Sequence, residues 1–119
     1  MGVQPRSLAI DCNDPERLAA FWSAVLEWGI VSRDEDGAVQ IAPADRSGWR
    51  LSFELVPGTK TGKNRLHLDL SPSDQAKELD RLLELGATRA DIGQGDVPWI
   101  VLADPEGNEF CLLRAPAHR

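Results

Sequence analysis

The segment 63–70 places three ionisable side chains, Arg65, His67 and Asp69, at alternating positions. If the segment is a β-strand, all three share one face, because successive side chains of a strand point to opposite faces. There Asp69 could orient His67 as a general base, and the thiol of Cys111 could be a nucleophile or a metal ligand. A histidine on a polar sheet face is more often only hydrogen-bonded, and a half-buried cysteine is usually inert, so both interpretations stay open.

Three further segments, residues 7–12, 49–56 and 108–113, have strand periodicity with a polar and an apolar face. If their apolar faces pack against helices, the polar faces line a cavity, which we interpret as a ligand site rather than as solvated surface. Trp49 and Trp99 lie near strand starts, where they could stack on an aromatic or cationic ligand or belong to the core. The predicted ligand-binding residues are Asp11, Trp49, Arg50, Glu54, Arg65, His67, Asp69, Trp99, Glu109 and Cys111.

The first half of the chain predicts a strand, a helix and three more strands. The helix should begin at Asp14 as N-cap with Pro15 in its first turn, and should end at Gly29. Asp36-Gly37 favours a tight hairpin turn. The four predicted strands are residues 7–12, 30–33, 38–42 and 49–56.

The second half repeats this order. A helix starts in the Ser-Pro-Ser-Asp segment 71–74 and ends at Gly86, and the predicted strands are residues 65–70, 88–92, 98–103 and 108–113. The segment Leu-Glu-Trp-Gly at 26–29 corresponds to Leu-Glu-Leu-Gly at 83–86, an offset of 57 positions. We therefore predict a single domain, residues 1–119, built from duplicated β-α-β-β-β modules at 6–57 and 63–114. A ferredoxin-like α+β sandwich is the alternative, but it has fewer strands in each half.

The composition narrows the function classes. A chain of 119 residues has room for one compact domain. Its net charge of -6, from 13 basic and 19 acidic residues, argues against nucleic-acid binding. No stretch approaches twenty apolar residues and the first residues do not resemble a signal peptide, so we expect a cytoplasmic protein without a membrane partner.

Three segments carry a resemblance that covers nearly the whole chain. They read NDPER running into FWSAVL in the first half, KNRLHLDL in the middle and DPEGNEFCLL near the end. In this order and spacing they resemble the vicinal oxygen chelate superfamily, and more narrowly its small glyoxalase-like members, which include bleomycin-resistance-like proteins. The resemblance implies an α+β fold whose two tandem β-α-β-β-β modules form a curved open sheet, a cup, with helices outside and the ligand inside. It also implies a homodimer. The low content of lysine and the absence of tyrosine, beside many alanine, leucine and arginine residues, suggest a bacterial source.

The resemblance maps the four ligands of metal-dependent members onto Ser7, Glu54, Arg65 and Cys111. Only Glu54 is a clear match, because serine is a poor ligand and arginine does not deprotonate. If an ion is bound, a shift of two residues would make Glu54, His67 and Cys111 its ligands, and Asp11 could be a fourth. Such a shift moves the donor by about 6.5–7 Å along the strand.

We therefore expect a metal-free protein that binds a small organic molecule, with no cofactor. The alternative, which the superfamily also contains, is a metal-dependent lyase, isomerase or dioxygenase that uses a divalent ion. In that case Asp69 or Glu109 would handle the proton. A third interpretation is a module whose sheet surface serves only dimerisation.

Overall fold

The computed structural model describes residues 2–115, and the chain divides between Thr59 and Lys60 into two compact units, called unit 1 and unit 2. Each unit contains one helix and one four-stranded sheet in the order strand, helix, three strands. The predicted α+β fold of two β-α-β-β-β modules is confirmed. The predicted module ranges 6–57 and 63–114 each fall within one unit.

Unit 1 contains β1 (Ser7–Cys12), α1 (Pro15–Leu26), β2 (Gly29–Arg33), β3 (Val39–Ala42) and β4 (Arg50–Leu55). Its open sheet has the strand order β1-β4-β3-β2. The strands β1 and β4 are parallel, and the other neighbours are antiparallel. Helix α1 connects β1 to β2. Strands β2 and β3 form the hairpin that the Asp-Gly turn predicts.

Helix α1 begins where the sequence predicts it. The side chain of Asp14 accepts a hydrogen bond from the backbone N–H of Arg17, and Pro15 occupies the first turn, where its missing N–H costs nothing. The helix then buries a broad apolar stripe. Its buried residues are Pro15, Leu18, Ala19, Phe21, Trp22 and Val25, and the rings of Phe21 and Trp22 pack edge to face with centroids 5.2 Å apart.

Helix α1 ends earlier than predicted, at Leu26 rather than at Gly29. Glu27 adopts the left-handed conformation, with φ of 58°, and its N–H bonds to the carbonyl of Ser23. The hydroxyl of Ser23 donates in turn to the carbonyl of Trp28. The helix is therefore capped at Glu27, two residues before Gly29, the residue at which the sequence predicts its end.

Unit 2 contains β5 (Asp69–Leu70), α2 (Gln75–Leu85), β6 (Thr88–Arg89), β7 (Ile100–Ala103) and β8 (Glu109–Leu112), in the strand order β5-β8-β7-β6. Helix α2 is capped by Asp74, whose carboxylate accepts from the N–H of Lys77. At its end Gly86 has φ of 120°, in the region that favours glycine. The buried Asp104 forms the turn before β8 by accepting from the N–H groups of Glu106 and Asn108.

The strands of unit 2 are shorter than their sequence patterns predict. The strand expected over 65–70 is regular only from Asp69, although the N–H of Cys111 already bonds to the carbonyl of Leu68. The strand expected over 88–92 ends at Arg89, because side chains satisfy the backbone beyond it. Asp91 accepts from the N–H of Gly93, and Gln94 accepts from the N–H of Ile92.

Neither helix is both long and apolar enough to cross a membrane, within the part of the chain that the structure describes.

Candidate functional site

In unit 1, the register of the sheet assembles the predicted polar face. Asp11 of β1 is the partner of Glu54 of β4, and Ala9 is the partner of Ser52. Gln40 of β3 lies on the other side of Ser52. Because residues opposite one another in a sheet share a face, these side chains project from the same side of the sheet.

Hydrogen bonds link this polar face into a network. Arg50 Nη1 donates to Gln40 Oε1 at 3.0 Å, and Gln40 Nε2 lies 3.5 Å from Ser52 Oγ. Ser52 is buried, and its hydroxyl donates to a carboxylate oxygen of Glu54. Ser32 Oγ of β2 also donates to Gln40 Oε1, at 3.3 Å. The guanidinium of Arg50 and the carboxylate of Glu54 are thus held in fixed positions by neutral side chains.

Three members of the network, Ser32, Gln40 and Ser52, were not among the predicted site residues. Ser52 lies on the polar face of the predicted strand 49–56, between Arg50 and Glu54. Gln40 alternates with the buried Val39 and Ile41 in a strand that the sequence does predict. Assigning alternate residues of that strand to the polar face, as for the other strands, would have identified Gln40. Ser32 follows a register irregularity between Ile30 and Ser32, which counting by two does not anticipate.

In unit 2, three predicted site residues come together. His67 Nε2 lies 3.0 Å from Asp69 Oδ1, with the two side chains 40% and 52% exposed. Asp69 is the register partner of Cys111, which is buried. One ligand atom from each residue can be chosen so that the three lie within 4.8 Å of one another. We call these three residues the His67 cluster.

The thiol of Cys111 is a poor nucleophile in this setting. Burial raises its pKa, and the negative charge of Asp69 and a hydrogen bond to that carboxylate raise it further. The positive charge of Lys63 opposes this effect only in part. A thiol with a raised pKa is protonated at neutral pH, whereas nucleophilic catalysis needs the thiolate.

Glu109 binds the first residues of unit 2, the segment 60–64. Its carboxylate lies 3.1 Å from Lys60 Nζ and accepts a hydrogen bond of 2.9 Å from the backbone N–H of Asn64. Burial alone would raise the pKa of Glu109, but these two contacts outweigh it and the pKa is lowered. Glu109 therefore stays charged and fixes the segment 60–64. The next residue, Arg65, is exposed.

The two tryptophans proposed as ligand contacts are both exposed. Trp49 is 52% exposed directly before β4, and Trp99 is 39% exposed directly before β7. Trp22, by contrast, is buried in the core of unit 1. The exposed rings are available for stacking, and the prediction that they contact a ligand stays a prediction.

Comparison with known protein families gives the class of this protein. The model of the glyoxalase-like domain family matches residues 7–113, so the chain belongs to that family, within the vicinal oxygen chelate superfamily. No protein of curated function matches the sequence.

Solved structures show the same fold at low sequence identity. The fosfomycin resistance protein FosX from Listeria monocytogenes, complexed with Mn(II) and 1S,2S-dihydroxypropylphosphonic acid, has 12% identity and a TM-score of 0.70, covering 98% of this chain and 93% of its own. A glyoxalase-related enzyme from Fulvimarina pelagi has 17% identity and a TM-score of 0.68, covering 95% and 88%. The bleomycin resistance determinant encoded on the transposon Tn5 has 22% identity and a TM-score of 0.61, covering 97% and 100%.

The residues present do not fit the four-ligand metal site that the resemblance implies. Ser7 and Arg65 stand at two of its positions, and neither side chain is a metal ligand of this kind. Glu54, at a third position, accepts a hydrogen bond from Ser52. Only Cys111 belongs to a group of three donors.

Proposed function

We propose that this protein binds a small organic molecule on the polar sheet face of unit 1, through side chains and without a requirement for metal. The observation that carries the proposal is the hydrogen-bonded network on that face. Gln40 holds Arg50, and Ser52 holds Glu54, so a cationic and an anionic group are oriented before a ligand arrives. Such preorganisation reduces the entropy lost on binding.

The charges favour a ligand that is an organic cation with an aromatic or apolar part. Asp11 and Glu54 are register partners on neighbouring strands, which lie about 4.8 Å apart in a sheet. Arg50 is bound to the carbonyl oxygen of an amide rather than to either carboxylate. A cation would relieve the repulsion between the two carboxylates. The exposed ring of Trp49, directly before β4 in the chain, is the candidate for stacking on the aromatic part of such a ligand.

Calorimetric titration with metal-free bleomycin and with a panel of aromatic amines tests the proposal. Bleomycin is chosen because one structural relative is a bleomycin resistance determinant. For a compound that binds, Glu54→Gln and Asp11→Asn should each weaken affinity about tenfold, the effect of losing about 1.4 kcal/mol.

The matched control is Glu16→Gln, which removes a carboxylate of unit 1 that forms an exposed ion pair with Arg33. This change should leave the affinity unaltered, because Glu16 lies on α1 rather than on the sheet. Affinity that is insensitive to Glu54→Gln and Asp11→Asn, or a panel without any bound member, would contradict the proposal.

A metal-dependent lyase, isomerase or dioxygenase is the second candidate. It is favoured by one observation, the convergence of three ligand-bearing side chains in the His67 cluster. The structural relative FosX was solved with Mn(II). This supports a divalent ion as the cofactor in the second candidate function. Metal analysis of the untreated protein, with turnover assays on substrates that carry vicinal oxygen atoms, separates this candidate from the first.

We also infer a homodimer in the cytoplasm, on the basis of the resemblance and of the acidic sequence without a long apolar segment. Exposed apolar side chains, including Leu55 and Leu66, provide surface that a second copy could bury. Light scattering coupled to size-exclusion chromatography tests the oligomeric state, and a mass of one chain at micromolar concentration would exclude the dimer.

A further inference from the structure

The polar sheet face of unit 1 has opposite charges at its two ends. On β4, Arg50, Ser52 and Glu54 alternate on this face, so the Cα atoms of the two charged residues are about 13 Å apart along the strand. Asp11 is the register partner of Glu54, so both carboxylates lie at one end. The register partner of Arg50 is Ser7, which is neutral. The face is therefore negative at one end and positive at the other.

Arg50 is oriented, and most of its hydrogen-bonding capacity is unused. Its Nη1 donates to Gln40 Oε1 at 3.0 Å, and within residues 2–115 this is the one hydrogen bond of the guanidinium. Gln40 Oε1 also accepts from Ser32, which fixes the amide that holds Arg50. A guanidinium has five N–H donors in a planar fork that matches the two oxygens of a carboxylate. The half-buried Arg50 can therefore bind an oxyanion through two parallel hydrogen bonds.

Hydrogen bonds between the two ends limit the distance between the charged groups. From Arg50 Nη1 the path runs 3.0 Å to Gln40 Oε1 and, from Gln40 Nε2, 3.5 Å to Ser52 Oγ. The Ser52 hydroxyl then donates to Glu54 Oε2. With the width of one amide group, this path limits the separation of Arg50 Nη1 and Glu54 Oε2 to about 11 Å. A ligand that bonds to both groups at about 2.8 Å needs charges of its own about 5–8 Å apart.

Small side chains leave space for the middle of such a ligand. Ala9 of β1 is the register partner of Ser52, and its side chain is exposed between Ser7 and Asp11. Ser7 is exposed as well. A ligand can therefore lie along β1 and β4 and reach both charged ends without displacing a large side chain.

We propose that the ligand of unit 1 is an extended zwitterion, with its cationic group at Asp11 and Glu54 and its anionic group at Arg50. This inference rests on the proposed function, since it uses the same sheet face, and it adds a second charge to the ligand. A ligand with only a cation would leave the charge of Arg50 unopposed, whereas a zwitterion pairs both ends of the face. The charged ends of an extended dipeptide are about 6–7 Å apart, as required, but those of a free amino acid are only about 2.5 Å apart.

Calorimetric titration with tryptophylglycine and with tryptophylglycinamide tests the inference. The two compounds share the ammonium group and the indole ring, but the amide lacks the carboxylate. Because hydrogen bonds between charged groups stabilise a complex more than neutral ones do, the protein should bind the acid about tenfold more tightly than the amide. Free tryptophan is too short to reach both ends and should bind about tenfold more weakly than tryptophylglycine.

Two arginine variants locate the anion site. Arg50→Gln should remove the preference, so that the acid and the amide bind with equal affinity. Arg33→Gln is the matched control, because it also removes one positive charge from a strand of unit 1, but that guanidinium is paired with Glu16 of α1. Arg33→Gln should keep the preference for the acid.

If Arg50→Gln does not fold, nuclear magnetic resonance of the unaltered protein carries the test. The Nε–H signal of Arg50 should shift on addition of tryptophylglycine but not on addition of its amide. An unshifted signal, equal affinity for the acid and the amide, or equal affinity for free tryptophan and tryptophylglycine would overturn the inference. A preference that survives Arg50→Gln or is lost in Arg33→Gln would also overturn it.

The amide separates this inference from the proposed function. If the amide binds as tightly as the acid, the zwitterion is excluded and the cation site of unit 1 stands. If neither compound binds, the zwitterion is again excluded, and the titrations with bleomycin and aromatic amines decide on the cation site.

Discussion

The helices of the two units follow the same sequence pattern but bury very different amounts of apolar surface. Six residues of α1 are buried, whereas Leu82 is the one fully buried residue of α2. When the N-caps Asp14 and Asp74 are aligned, an offset of 60 positions, Phe21 corresponds to Arg81, which pairs with Glu78, and Trp22 corresponds to the buried Leu82. The two helices therefore share an aspartate N-cap while their C-caps and their core contacts differ.

The sheets of the two units also differ, because the strands of unit 1 are longer. The strands of unit 1 contain four to six residues and those of unit 2 contain two to four. The polar face of unit 1 is linked by hydrogen bonds among Gln40, Arg50, Ser52 and Glu54, while two members of the His67 cluster are half-exposed. Unit 1 thus combines a well-packed core with an oriented polar face, and unit 2 combines shorter strands with a group of ligand-bearing side chains that can still move.

The largest test of this comparison is the loss of one large apolar side chain from each helix. Trp22→Ala should lower the free energy of unfolding by about 3–5 kcal/mol, because it removes a fully buried indole. Leu79→Ala should cost about 1–2 kcal/mol, since this side chain is only half-buried. Urea denaturation followed by circular dichroism measures both. Equal losses would mean that the two helices contribute equally to the core.

A smaller effect on stability is expected at Glu109, which binds the segment 60–64 at the start of unit 2. Its pKa is lowered in the folded chain, so its stabilising effect is complete above the unfolded value of about 4.3 and is lost as pH falls through the folded value. Glu109→Gln should cost about 1 kcal/mol near neutral pH, and this cost should decrease as pH falls below the unfolded value. Denaturation at several pH values measures this difference. A constant cost across that range would exclude the charge of Glu109 as its source.

The N-caps should behave alike in the two units, which separates local from tertiary effects. Asp14→Ala and Asp74→Ala each remove a carboxylate that accepts a backbone N–H in the first turn. Each change should cost about 1 kcal/mol. Thermal unfolding of the two variants gives the comparison, and a difference of several-fold would show that tertiary contacts modify one cap.

The smallest expected effects have opposite signs at the two helix ends. Glu27→Gly should stabilise unit 1 by about 0.5–1 kcal/mol, because glycine adopts the left-handed conformation without strain. Gly86→Ala should destabilise unit 2 by about 1 kcal/mol, because an added Cβ is strained at φ of 120°. Urea denaturation of both variants measures the signs. Destabilisation by Glu27→Gly would indicate that the Glu27 side chain itself holds the end of α1.

Much of the fold could be predicted because its signals are local. The N-cap of α1 at Asp14, the glycine at the end of α2 and the turn before β8 each depend on residues within a few positions of one another. Element order and the face of each strand follow from periodicity in the same way. The early end of α1 and the shortened strands of unit 2 were not predictable, because side chains such as those of Ser23 and Asp91 satisfy backbone groups in competition with the regular pattern.

The sequence by itself determined which residue types lie on the polar faces, and thus most of the candidate site residues. Only the tertiary structure decided which of them meet. Asp69 and Cys111 are 42 positions apart, so their contact depends on the register of β5 and β8. Lys60 and Glu109 are 49 positions apart, so their contact depends on the path of segment 60–64. Periodicity fixes a residue's face but not its neighbour across the strands, because the pairing register is selected by the packing of the whole sheet.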